Sequence, residues 1–133
     1  MRWTVLFHEE FHREFENLAE DLQDELLAHA ILLQQFGPQL GRPSVDTLKG
    51  SKHANMKELR FAWERGVWRL AFAFDPKRQA ILLAGGDKGG VDPKRFYKRL
   101  IATADHRFDE YLAALSKAKG AIRAKEMSRG KKS

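Results

Sequence analysis

Large apolar residues along this 133-residue chain recur with two different periods. Trp3, Val5 and Phe7 alternate with Arg2, Thr4 and Leu6, the period of a strand. From His8 the spacing lengthens: Phe11, Phe15, Leu18 and Leu22, then Leu26, Ala30 and Leu33, recur as on one face of a helix. That stretch predicts one long helix, or two joined near Glu20-Asp21, with acidic residues in its first turn and Gly37-Pro38 as its stop. Residues 38–55 contain turn-forming clusters without periodicity and predict a loop. Residues 56–88 predict three strands. After them Pro93 opens a closing helix with the stripe Phe96, Leu100, Ala104, Phe108, Leu112 and Leu115. The order β-α(α)-β-β-β-α is an α+β fold, a mostly antiparallel sheet packed against N-terminal helices plus a C-terminal helix.

Burial sets an expected register for the middle strands. A two-residue turn at Arg65-Gly66 opposes Trp63 to Trp68, Phe61 to Leu70 and Leu59 to Phe72. Arg60 and Arg69 then share the other face. A four-residue loop at Asp75-Pro76-Lys77-Arg78 opposes Phe72 to Ile81 and Leu70 to Leu83. The same parity carried past Gly85-Gly86 puts Lys88 on the arginine face. The prediction is a sheet with large apolar residues on one side and Arg60, Arg69 and Lys88 on the other.

Composition narrows what such a face could do. The formal net charge is +6, which favours a polyanionic partner such as nucleic acid. The absence of cysteine excludes a disulfide scaffold, a thiolate nucleophile and a Cys-ligated zinc site. No apolar run has the length of a membrane span and no signal-peptide pattern opens the chain, so a cytoplasmic protein without a membrane partner is expected. The expected organisation is one domain over residues 1–118, followed by a basic, disordered tail over 119–133.

A basic sheet face suits cleavage of an RNA phosphodiester, in which the 2′-hydroxyl is the internal nucleophile. The protein must then stabilise charge on the phosphate oxygens and assist proton transfer. The arginine fork suits the first task. Lys88, the loop residues Lys49, Lys52 and His53, and Tyr97 at the start of the last helix are candidates for the rest. The bland alternatives are solvated sheet cations, a histidine in an exposed loop and a tyrosine packed at a helix rim. His8 and His12 have the spacing of a metal pair but no third ligand, and no metal or other cofactor is expected. Asp87 reads as a charge partner of Lys88 or a substrate contact.

At LKGSKHANMKELRF (48–61), GVWRLAFAFDPKRQAILLAGGDK (66–88) and RFYKRLIATADHRFDEYL (95–112) the chain resembles the RelE/ParE superfamily of type II toxins, in particular its phage-derived, HigB-like branch. The resemblance implies two helices on one side of a sheet and a C-terminal helix. It implies a ribosome-dependent mRNA endonuclease (an mRNA interferase) that works without metal. It also implies partners: the ribosome, mRNA, and a helix-turn-helix antitoxin through which the complex reaches operator DNA. By position, Arg60 and Arg69 match the phosphate-stabilising arginines, Lys49 and Lys52 the basic residues ahead of that strand, and Lys88 the lysine closing the last strand. Lys52, His53, Lys88 and Tyr97 compete for the acid/base role. The GGDK strand end departs from relatives with a hydrophobic-basic pair there. The alternatives are a ParE-like inhibitor of DNA gyrase and a non-catalytic toxin acting only as an operator-binding corepressor.

Overall fold

The alternating residues of the middle region form the centre of a five-stranded sheet in the order β1-β5-β4-β3-β2. The computed structural model describes the backbone of residues 2–130 and the side chains of residues 2–120. Along the chain the elements are β1 (Thr4–Phe7), α1 (Glu9–Glu16), α2 (Glu20–Phe36), a 3₁₀ turn (Gly37–Gln39), β2 (Val45–Thr47), β3 (Met56–Trp63), β4 (Gly66–Phe74), β5 (Gln79–Asp87) and α3 (Pro93–Gly130). Only the β1–β5 pair is parallel. The α+β order read from the sequence is therefore present, with one strand more than expected. β2 lies inside the segment read as loop; its three residues are too few to show alternation, and its pairing to β3 defines it.

The first helical stretch is two helices. Asn17 closes α1, and the Gln23 side-chain amide donates to the carbonyls of Phe15, Glu16 and Leu18 at the break between the helices. Gly37 ends α2 with a positive φ of 52°, and a Cβ there would overlap the indole of Trp3.

Both faces of the sheet are buried. α1 and α2 cover one face, with Phe11, Phe15, Leu26 and Leu33 against Leu59, Phe61, Trp68, Leu70, Phe72 and Leu82. α3 crosses the other, with Leu100, Ala104 and Phe108 against Met56, Ala71, Ala73, Ile81 and Leu83. The face expected to present cations is thus covered along much of its length, and its small residues Ala71 and Ala73 make room for the helix. Arg60 and Arg69 occupy the part that lies beyond the apolar contact.

Two registers differ from expectation. The β3–β4 turn is Glu64-Arg65, with Glu64 at a positive φ of 53°, so Phe61 meets Trp68, Leu59 meets Leu70 and Arg60 meets Arg69. The shift is by two residues, which leaves every side chain on its expected face. In β5, Phe72 meets Leu82 rather than Ile81, so Ile81 and Leu83 point toward α3 and not toward α1 and α2. A bulge opposite Ala71/Phe72 then changes the parity again, and Arg69 meets Gly86. At Gly85 the ring of Trp68 fills the space a Cβ would need.

The expected stripe of α3 packs as read from Phe96 to Leu112. Its backbone is helical through residue 118 and on to Gly130. The side chains of 121–133 and the backbone of 131–133 lie outside the described residues.

Arg107 joins the layers. Its buried guanidinium donates to Glu14 Oε1 at 2.9 Å, Glu14 Oε2 at 2.6 Å and the Leu83 carbonyl at 2.8 Å. The hydrogen bond from Arg107 holds the Glu14 carboxyl below its ordinary pKa. Arg107→Met should lower stability by about 2 kcal/mol in chemical denaturation. Glu14→Gln should cost less, because Glu14 is about half exposed. A group with a depressed folded pKa stabilises above its unfolded pKa and loses that contribution as pH falls through the folded one. The difference between wild type and Glu14→Gln should therefore vanish in acid.

Candidate RNA-binding site

The site begins with the β3–β4 ladder. Arg60 and Arg69 are directly opposed across it, an arrangement of like charges that disfavours folding unless other groups offset it. Three groups do. Glu58 precedes Arg60 on the same face, and its Oε1 lies 3.6 Å from Arg60 Nε. Asp46, brought alongside by β2, lies 3.8 Å from Arg60 Nη2. The first turn of α3 supplies Phe96 and Tyr97, and the Arg69 guanidinium lies over both rings at 5.9 and 5.8 Å from their centroids. That turn begins at Asp92, whose carboxylate accepts from the Arg95 backbone N–H at 3.3 Å.

Glu58 is 4 % exposed and accepts a hydrogen bond from the Tyr97 hydroxyl at 3.2 Å. Among the described residues, its other oxygen, Oε2, and the Nε of Arg69 are buried without a protein partner. Burial pushes the Glu58 carboxyl above its ordinary pKa, against the pull of Tyr97, Arg60 and Arg69. Burial and the adjacent Glu58 raise Tyr97 as well, so the phenol keeps its proton and donates it to the carboxylate.

Grooves open on either side of this cluster. One, of about 500 Å³, is lined by Arg65, Arg69 and Lys88, with Asp87 and Gly66 on its wall. The other, of about 340 Å³, is lined by Glu58 and Tyr97 with Lys49 and Arg42 at its edge. Arg60, Arg69 and Tyr97 are therefore gathered in one cluster, flanked by Lys88 on one side and Lys49 on the other.

Lys52 and His53 are placed elsewhere. Lys52 is paired with Asp109, and His53 Nε2 lies 2.8 Å from Asp109 Oδ1 with its ring edge-on to Phe108. Asp105 accepts from the Ser51 hydroxyl and from the Lys52 backbone N–H. Asp109 is twelve residues along α3 from Tyr97, roughly 18 Å at the helical rise. The hydrogen bond from Lys52 holds Asp109 below its ordinary pKa. These contacts fasten the 48–55 segment to α3. His8 and His12 each face a carboxylate, Glu110 at 3.7 Å and Glu16 at 3.2 Å, rather than each other. Asp87 Oδ1 accepts from the Gly89 N–H and so turns the chain after β5.

Glu58 is not among the site residues that the sequence pattern points to. The signal for it was a carboxylate at a strand position sharing a face with Arg60; its burial depends on α3, which no local pattern shows.

The fold and this basic cluster define a class: a small sheet clasped between helices, with cations gathered where the last helix begins. Escherichia coli toxin RelE, solved as a double arginine-to-alanine mutant in the free state, has the same fold, with a TM-score of 0.56 over 80 % of this chain and 98 % of that one at 13 % identity. The chain belongs to the phage-derived Gp49-like family (DUF891), whose profile matches residues 13–109. Two proteins of Mycobacterium tuberculosis that carry toxin names are similar to it. HigB3 is 53 % identical over 83 residues, 62 % of this chain and 70 % of that protein. HigB2 is 48 % identical over 97 residues, 71 % of this chain and 48 % of that protein, so the chain spans about half of its length.

Removing the fastening of the 48–55 segment should loosen it locally. Asp105→Ala should speed amide hydrogen exchange at Lys52 about tenfold or more, the factor that corresponds to one lost hydrogen bond of about 1.4 kcal/mol, while the amides of β4 keep their protection.

Proposed function

We propose that this protein is the toxin of a type II toxin-antitoxin system and cleaves mRNA on the ribosome. The observation that carries the reading is the directly opposed pair Arg60 and Arg69, of which Arg69 stacks on Phe96 and Tyr97 and lines a groove that also holds Lys88. Two arginines forced together at the edge of a covered face oppose folding, and a bound phosphodiester would relieve that repulsion. Relatives that carry toxin names support the same reading.

In the reaction the RNA 2′-oxygen attacks the adjacent phosphorus, the bond to the 5′-oxygen breaks, and a 2′,3′-cyclic phosphate remains. Arg69 and Arg60 stabilise the charge on the phosphate oxygens. Lys88 adds charge from the far wall of the groove, and Tyr97 serves proton transfer. Lys49 guides the strand at the other groove. Lys52 and His53 hold the 48–55 segment to α3 and so shape that side of the site. Among the described residues no helix is long and apolar enough to cross a membrane; we place the activity in the cytoplasm, with a helix-turn-helix antitoxin as the neutralising partner and operator DNA reached through the antitoxin. Residues 119–133 act as a basic extension for non-specific contact with RNA.

Arg60→Ala, expressed alone, should relieve growth inhibition and lower the cleavage rate by about 10²–10³-fold, the range for losing one preorganised charge contact. Primer extension on cellular mRNA reads the cuts, and thermal melting confirms the fold. Growth arrest by the wild type with DNA damage and no cuts within translated codons would instead make the protein an inhibitor of DNA gyrase. Operator binding with no growth arrest would leave it a corepressor only.

A further inference from the structure

Glu58 is the least expected group in the site. A carboxylate at 4 % exposure with an unpartnered Oε2 costs free energy that a leucine there would avoid. Its nearest cation, Arg60 Nε at 3.6 Å, is at ion-pair range but beyond a hydrogen bond. Among the described residues, the one hydrogen bond the Glu58 carboxylate receives comes from the Tyr97 hydroxyl. Tyr97 also lines the groove that Lys49 borders, on the side of Arg69 away from Lys88. A substrate reaching the Arg60–Arg69 pair therefore meets the tyrosine before it meets the carboxylate behind it.

We propose that Glu58 and Tyr97 form a two-member proton relay that activates the RNA 2′-hydroxyl. The inference rests on the reading of this site as an RNA-cleaving one. The Tyr97 oxygen accepts the proton of the 2′-hydroxyl while the phenolic proton passes to Glu58 Oε1. As the 2′-O–H bond breaks, the 2′-oxygen forms its bond to phosphorus. The bond from phosphorus to the 5′-oxygen breaks with its electron pair leaving on that oxygen, which takes a proton from solvent. Glu58 then returns its proton through Tyr97 to solvent. Tyr97 is the catalytic residue of the pair, and Glu58 is a positioning residue that acts through it. Arg60 favours the ionised form of the carboxylate against its burial, and Arg69 holds the tyrosine ring and the phosphate in one register.

The arrangement explains why burial is useful here. A carboxylate in water would be too weak a base to draw a proton through a phenol, whereas burial strengthens it as a base. It also assigns the second groove: it holds the ribose that carries the attacking hydroxyl, while the groove of Arg65 and Lys88 holds the leaving side of the chain.

The test is single-turnover cleavage of mRNA on programmed ribosomes, measured against pH for the wild type, Glu58→Gln, Tyr97→Phe and the double variant. The wild-type rate should rise with pH and then level as Glu58 ionises. Each single variant should lose about 10²-fold and no longer show that rise. The double variant should be no slower than either single one, as expected of groups acting in one path. Co-sedimentation with ribosomes should be unchanged in all of them. If Glu58→Gln does not fold by thermal melting, Glu58→Asp and Tyr97→Phe carry the test: the first should keep the rise and the second should abolish it. Cleavage by folded Glu58→Gln at the wild-type rate and with the wild-type pH profile would overturn the relay while leaving the nuclease intact. Failure of the wild type to cut would overturn the nuclease and the relay together.

Discussion

The structure depends on β4 being buried from both sides. A strand has one side chain per face at every second position, so a doubly covered strand must be apolar throughout or place its exceptions beyond the covering layers. β4 does the latter. Leu70 and Phe72 fill the layer under α1 and α2, while Ala71 and Ala73 are small enough for α3 to cross. Arg69 is the exception, and it sits where α3 is only beginning. The cationic cluster is thus a consequence of where the helix starts.

That placement carries an electrostatic cost which the surroundings distribute. Arg60 opposite Arg69 is countered by carboxylates on one side and by aromatic faces on the other. Neither arginine is fully neutralised: Arg69 Nε has no partner and Arg60 shares its carboxylates at long range. An incompletely satisfied group in a native structure is a reservoir that a ligand can draw upon. The contrast with Arg107 is instructive. There the guanidinium meets Glu14 through two short hydrogen bonds and a carbonyl besides, and this pairing ties α1 and β5 to α3. The second arrangement stabilises the fold, and the first leaves hydrogen-bonding capacity unused.

The middle of α3 shows the same division. Asp75 accepts hydrogen bonds from Tyr111 and from the Gln79 side chain and backbone, which hold it below its ordinary pKa although burial pushes it up. With Asp105 and Asp109, it fastens the middle of α3, and the cation–aromatic stack fastens its start. The histidine and lysine that sequence proximity placed near the arginines belong to the first fastening.

Much of this was determined by the sequence itself. The order of elements, the faces of β3 and β4 and the stripe of α3 follow from side-chain period, which is a property of the local backbone. Even the misplaced turn at Arg65-Gly66 did no harm to the faces, because a slip of two residues preserves them. Lys88 likewise came out beside Arg69, since a one-residue change at the Asp75 turn and the later bulge offset each other. What only the tertiary structure decided is whatever depends on a partner distant in sequence. Ile81 and Leu83 turned to the other face because a second layer was there to receive them. β2 exists because β3 offered it an edge, and Lys52 and His53 were drawn to carboxylates more than fifty residues away. Glu58 became a buried carboxylate because α3 closed over it and laid a tyrosine against it. Periodicity records which way a side chain points, and only packing determines what it meets.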